Sequence, residues 1–300
     1  MRAAQRSRLT TIAVPDKFAR GFRTMTIPLR LFHVFLTATL TCIALATAGQ
    51  AGDPLRILVL KEHGVGSPTL AQPYLDRFVA NAALQNDWSD AKGQYYVTRA
   101  AAEEFIATQK PHYGIISLAA FLDFRNKYNL EVIGQVAVSL VGGQQYFLIS
   151  KTATSLAGCK GKKLASDHTT DVRFIEKVVA RGKFKLADFE IVPTQRPLQT
   201  IKEVVAGRAD CALIDDAQLN ELAKLSGAAD VKAVWESEKL PPMVVAAFPS
   251  APTSERLRFQ QNFSKVCEAD TKPACAEVGI LALDMASAAD YATVVAAYGN

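Results

Sequence analysis

The chain has 300 residues, 49% of them apolar and 8% aromatic, with 34 Lys/Arg against 29 Asp/Glu for a net charge of +5. All of that excess sits at the amino terminus: residues 1–51 hold seven basic residues and one acid, so 34 less 7 leaves 27 basic and 29 less 1 leaves 28 acidic residues beyond them, a net of −1. That near-neutral balance excludes nucleic acid or an anionic membrane surface as the expected partner, and about 249 residues are enough for two compact lobes with separate cores.

Arg2, Arg6, Arg8, Lys17, Arg20, Arg23 and Arg30 lead into an apolar run from Leu31 to Leu45. The run is about 15 residues, short of the roughly 20 that span a bilayer, and small-x-small sites follow at Ala46-Thr47-Ala48 and Gly49-Gln50-Ala51. Residues 1–51 therefore read as a signal peptide, cut after Ala48 or Ala51, that directs the protein to the periplasm. Met25 is an alternative start. Other readings are lipidation at Cys42, which Thr39 in place of Leu speaks against, and an uncleaved anchor.

Leu55–Leu60 is a continuous apolar run bounded by Pro54 and the loop 61–68, the pattern of a buried strand. A helix is expected over 75–84, a strand over 95–98, a helix over 100–109, a strand over 113–117, a helix over 118–128 and a β-like run over 130–138. Strand and helix then alternate again: 162–166, 171–180, 189–192, 198–206 and 211–215, with a helix over 217–224. Such alternation implies right-handed crossovers and a mostly parallel sheet flanked by helices in each unit. Short runs at 145–150 and 243–248 suit two crossings between the units. The expected division is lobe 1 from 52–148 and 246–300, including helices over 254–267, 275–283 and 289–298, and lobe 2 from 149–245. Trp235 and the Pro241-Pro242-Met243 turn read as linker packing.

Four cysteines follow the leader, and an even number in an oxidising compartment favours disulfides, although four allow three connectivities. Cys267 and Cys275 look like a loop staple. If the second unit orders its strands 189–192, 162–166, 211–215, then Cys159 and Cys211 meet at the sheet end opposite the cleft. With no C-x-x-C and no nearby His pair, no metal or other cofactor is expected.

Leu156-Ala-Gly-Cys-Lys-Gly-Lys-Lys-Leu-Ala-Ser166, the segment 199–215 and Tyr113-Gly-Ile-Ile-Ser117 give the chain a resemblance to the phosphonate-type substrate-binding proteins of ABC transporters, of the class II periplasmic binding protein fold. The resemblance covers roughly residues 55–300. It implies a two-lobed α/β clamp that delivers a small ligand to an inner-membrane transporter. It also implies that the loop after strand 162–166 holds the phosphonate through hydroxyls and N–H groups at a helix N-terminus. Here that loop is Ser166-Asp167-His168-Thr169-Thr170-Asp171. Hydroxyls remain at 166, 169 and 170, but the family's glycine is missing and two carboxylates flank the site, so the phosphonate is not carried over.

Loops at the carboxyl ends of parallel strands face the cleft in such folds. The candidate ligand-binding residues are thus Lys61, His63, Ser117, Tyr146, Ser166, His168, Thr169, Thr170 and Asp215, with Glu62 and Asp216 beside them. Plainer roles stand next to these: Thr169 or Thr170 as a helix N-cap, Asp215 and Asp216 as caps, Tyr146 as hinge core. No G-x-S-x-G, H-E-x-x-H or complete P-loop occurs, and no enzyme is expected. The expected function is a monomeric periplasmic solute-binding protein closing on a small polar ligand. The alternative is a carrier of an apolar lipid or sterol for a non-ABC system, suggested by segments such as Leu118-Ala-Ala-Phe121.

Overall fold

The computed structural model describes residues 54–63, 68–138 and 142–299. The expected leader, with its cleavage sites and Cys42, lies outside them. Among the described residues no helix is long and apolar enough to cross a membrane.

Two sheets organise residues 54–299. The first holds six strands: β1 (Leu55–Leu60), β2 (Ala91–Tyr96), β3 (Tyr113–Ile116), β4 (Glu131–Val138), β10 (Val244–Ala247) and β11 (Ile280–Met285), in the order β11-β4-β10-β3-β1-β2. The second holds five: β5 (Tyr146–Ser150), β6 (Lys163–Ser166), β7 (Glu190–Pro193), β8 (Cys211–Asp215) and β9 (Lys232–Glu236), in the order β7-β6-β8-β5-β9. The molecule is a two-lobed α/β protein with one sheet per lobe. Within each lies a three-stranded parallel core, β3-β1-β2 or β7-β6-β8; the order expected for the second is the one found, while β2 starts at Ala91, earlier than the expected 95–98. Most strands of each sheet run one way, as expected, but β10 and β11 in the first sheet and β5 in the second run against the rest, so both sheets are mixed. The physical reason lies in the crossings: β5 enters the second lobe and β10 re-enters the first without the crossover helix that parallel pairing needs.

The expected crossing points, 148 and 246, fall inside β5 and β10. Pairing puts all of β5 in the second sheet and all of β10 in the first. Three other expectations change. Trp235, taken as linker packing, belongs to the edge strand β9, paired to Leu148. Residues 280–283, taken as helix, belong to β11, because pairing with β4 outweighs the helix preference of Leu and Ala. Finally, helix Ala292–Tyr298 packs on the second lobe, not the first, lying against the π-helix Phe174–Val179. The chain thereby crosses between lobes a third time.

That third crossing is built into the core. Tyr291, fully buried, packs edge-on against Phe121 of helix Leu118–Lys127 with ring centres 5.8 Å apart, and its hydroxyl donates to the Pro242 carbonyl. One apolar cluster runs from Leu118, Phe121 and Phe124 through Tyr146 and Leu148 to Phe174, Val178, Val294 and Tyr298, so the lobes share buried surface beside the hinge. Both disulfides form as expected: Cys159–Cys211 with Cα atoms 6.1 Å apart and Cys267–Cys275 with 5.6 Å. The first ties the chain just before β6 to the start of β8, which fixes the two strands whose other ends carry the site.

Candidate functional site

The parallel strands of both lobes aim their carboxyl ends at a common cavity of about 280 Å³. Lys61, Glu62 and His63 follow β1, Ser117 follows β3, His168 and Thr170 follow β6, and Asp215 ends β8; all line it, with Tyr146, Phe174 and Arg99. Of the expected site residues, two are absent from this lining. Ser166 is fully buried, its hydroxyl donating to the Leu213 carbonyl and accepting from the His168 N–H, so it shapes the loop from within. Thr169 does not reach the cavity either.

The second-lobe loop is held from several sides. Asp167 sends Oδ1 to two donors, the Thr200 hydroxyl and Gln218 Nε2, both at 2.9 Å. Gln218 Oε1 accepts from the Asp215 N–H at 2.9 Å and meets His168 Nε2 at 2.8 Å. Because that oxygen is an acceptor, His168 carries its proton on Nε2 and leaves Nδ1 with the lone pair. The Gln218 N–H in turn donates to Asp215 Oδ1, a capping box that starts helix Asp216–Leu222.

Neither Thr169 nor Thr170 caps the next helix. Asp171 does: its Oδ1 accepts from the Phe174 N–H at 2.8 Å. Its Oδ2 sits 2.8 Å from Arg99 of the first lobe and 3.5 Å from the Tyr298 hydroxyl. Arg99 also grips Glu62, Nε to Oε1 at 2.8 Å, while Glu62 Oε2 accepts from Ser117. A second contact joins the lobes, His63 Nδ1 to Asp167 Oδ2 at 3.3 Å, with the His63 and His168 ring centres 4.2 Å apart. His63 holds a left-handed backbone, φ 57°, uncommon for a residue with a Cβ.

Charge in the cleft is crowded with acid. Glu62, Asp171, Asp215 and Glu277 line the cavity against two full cations, Lys61 and Arg99. Burial pushes the Lys61 pKa down, opposed by Asp215 and Asp216; burial and Asp215 push the Asp216 carboxyl up. Burial works against the Asp167 carboxylate, but the imidazoles of His168 and His63 outweigh it and hold this carboxyl well below the usual range. Burial likewise disfavours charge on His63, yet Asp167, Glu62 and Asp215 raise its pKa overall. For His168, burial and the charge of His63 prevail and lower it.

Residues 89–291 match the family described as ABC transporter, phosphonate, periplasmic substrate-binding protein. The chain belongs to this family. Phosphonate-type binding proteins capture a small solute for a membrane transporter, and that is the work of this one. By sequence, no curated protein matches it. Solved structures share its fold at low identity. A binding protein component of an ABC phosphonate transporter from Pseudomonas aeruginosa is 13% identical, with 80% of this chain and 84% of that one covered at a TM-score of 0.60. PhnD1 from Prochlorococcus marinus, in complex with methylphosphonate, is 12% identical over 80% and 95% of the two chains, TM-score 0.59. A Xanthomonas citri protein bound to ATP is 10% identical over 81% and 96%, TM-score 0.61.

Within this phosphonate-type protein, sequence reasoning passed over Arg99, Thr200 and Gln218. Gln218 had a signal, standing three residues after Asp215 in a capping-box spacing. Arg99 at the start of a helix after the Thr98 cap resembles any surface arginine in sequence, and only the lobe contact marks it out.

Proposed function

We propose that this protein is exported to the periplasm and closes its two lobes on a small polar solute that brings positive charge to the cleft. The observation that carries this reading is Asp171. The helix N-terminus where the family resemblance puts an anion is capped by the chain's own carboxylate, which also engages Arg99. An incoming dianion would have to displace that pair and then face Asp167 and Asp215. Lys61, His63, Ser117, Tyr146, His168, Thr170 and Asp215 are the proposed contact residues, and an inner-membrane ABC transporter is the proposed recipient. The proposed lobes are 54–138 with 244–285, and 146–236 with 292–298. A cavity ringed by so many charged groups speaks against a lipid or sterol.

Closure follows from differential affinity: a solute touching both lobes stabilises the closed state by as much as it prefers it. A thermal-shift comparison tests the charge assignment. A ligand at about 100 times its Kd adds about 2.7 kcal/mol to stability, which raises Tm visibly. Cationic or zwitterionic small solutes are expected to raise it, and methylphosphonate alone to leave it unchanged. A clear rise with methylphosphonate in chelator-treated buffer would overturn the reading.

A further inference from the structure

We propose that His63, Asp167 and His168 form a site for a divalent transition-metal ion that bridges the two lobes. This deepens the proposed reading of the cleft, on which it rests, by naming the positive charge.

One ligand atom from each of the three residues lies within 4.8 Å of the others. His63 Nδ1 and Asp167 Oδ2 are 3.3 Å apart, the edge of a tetrahedron around an ion with bonds of about 2.0–2.1 Å. The Asp167 side chain is 3% exposed, and its Oδ2 is buried without a hydrogen-bond partner, although Oδ1 has two. Buried carboxylate oxygens ordinarily find donors; this one meets the His63 imidazole at 3.3 Å, a contact that an ion held between the two atoms would replace with two bonds.

The surroundings match those of metal ligands. Histidines on a metal donate their other N–H to a fixed acceptor, and ligating carboxylates are themselves hydrogen-bonded. Gln218 holds both second-lobe residues here, meeting His168 Nε2 at 2.8 Å and donating to Asp167 Oδ1, while Thr194 stands behind Thr200 in the same chain of hydroxyls. Two imidazoles and one carboxylate suit zinc, nickel or copper better than magnesium or calcium, which prefer all-oxygen shells. Three protein ligands leave a further position, and His63 and His168 both line the cavity into which it would open. Since His63 belongs to one lobe and the other two residues to its partner lobe, the complete site exists only when the lobes are closed. Metal binding therefore favours closure.

The test uses metal-depleted full-length secreted protein titrated with Zn(II) by calorimetry and with Co(II) by visible absorption. His63→Asn is the informative variant, because asparagine tolerates the left-handed backbone while removing the ring. Wild type is expected to bind one equivalent, to show Co(II) ligand-field bands, and to become more compact in small-angle scattering. The variant is expected to bind at least about tenfold more weakly and not to compact. His168→Gln gives a second check, with circular dichroism confirming its fold. No stoichiometric metal binding by wild type, or equal affinity in a folded His63→Asn protein, overturns the proposal. If a cationic solute binds equally well with and without chelator while Zn(II) does not bind, the metal site fails and the reading of the cleft stands; if neither binds, both fail.

Discussion

The loops that follow β1 and β6 occupy matching places at the carboxyl ends of central parallel strands, yet they are held in opposite ways. The second-lobe loop is braced at every turn: Ser166 accepts the His168 N–H, Thr200 and Gln218 hold Asp167, and Asp171 caps its helix. The first-lobe loop reaches outward instead. Glu62 is gripped by Arg99, and His63, 27% exposed at its side chain, extends from a left-handed backbone to the other lobe. One loop is a preformed receptor and the other a clasp. Preorganisation on one side lowers the cost of ordering the site, and contacts from the other side that span the lobes favour the closed state.

Removing the braces tests this difference most severely. Cys159–Cys211 closes a loop of 52 residues behind the receptor strands, and chain-entropy arguments value such a link at about 4 kcal/mol. The double Cys→Ser variant should lose up to that much in equilibrium urea unfolding; a loss below about 1 kcal/mol would mean the strands hold their own register. Next comes Asp167→Ala. It strands the buried donors of Thr200 and Gln218 and removes the partner of His63, so a loss of about 3 kcal/mol is expected. The smallest effect belongs to the clasp. Arg99→Ala should cost about 1 kcal/mol, because Asp171 keeps its cap bond, but should enlarge the radius of gyration by favouring open lobes. An unchanged radius would show that Arg99–Asp171 does not hold the lobes together.

The receptor's location was legible in the sequence, because buried parallel strands write themselves as unbroken apolar runs, as in Leu55–Leu60 and Cys211–Asp215, and sites follow their carboxyl ends. Edge strands were not. β9 carries Lys232 and Glu236 with one face exposed, and β11 offers Leu281, Ala282 and Leu283, whose local preference is helical. Helix Ala292–Tyr298 shows an apolar face in sequence, but nothing local says which lobe covers it. Within the site, the loop 166–171 announced its carboxylates, whereas the pairing of His63 with Asp167 joins residues 104 positions apart and depends on lobe geometry alone.

Native mass spectrometry of the protein purified from the cells that make it tests the central claim most directly, since a cargo retained in the closed cleft reports its own charge. The account predicts an added mass that belongs to a small cationic species, a bound metal ion included, and that is lost in His63→Asn. A retained metal-free phosphonate dianion, or a lipid, would contradict it.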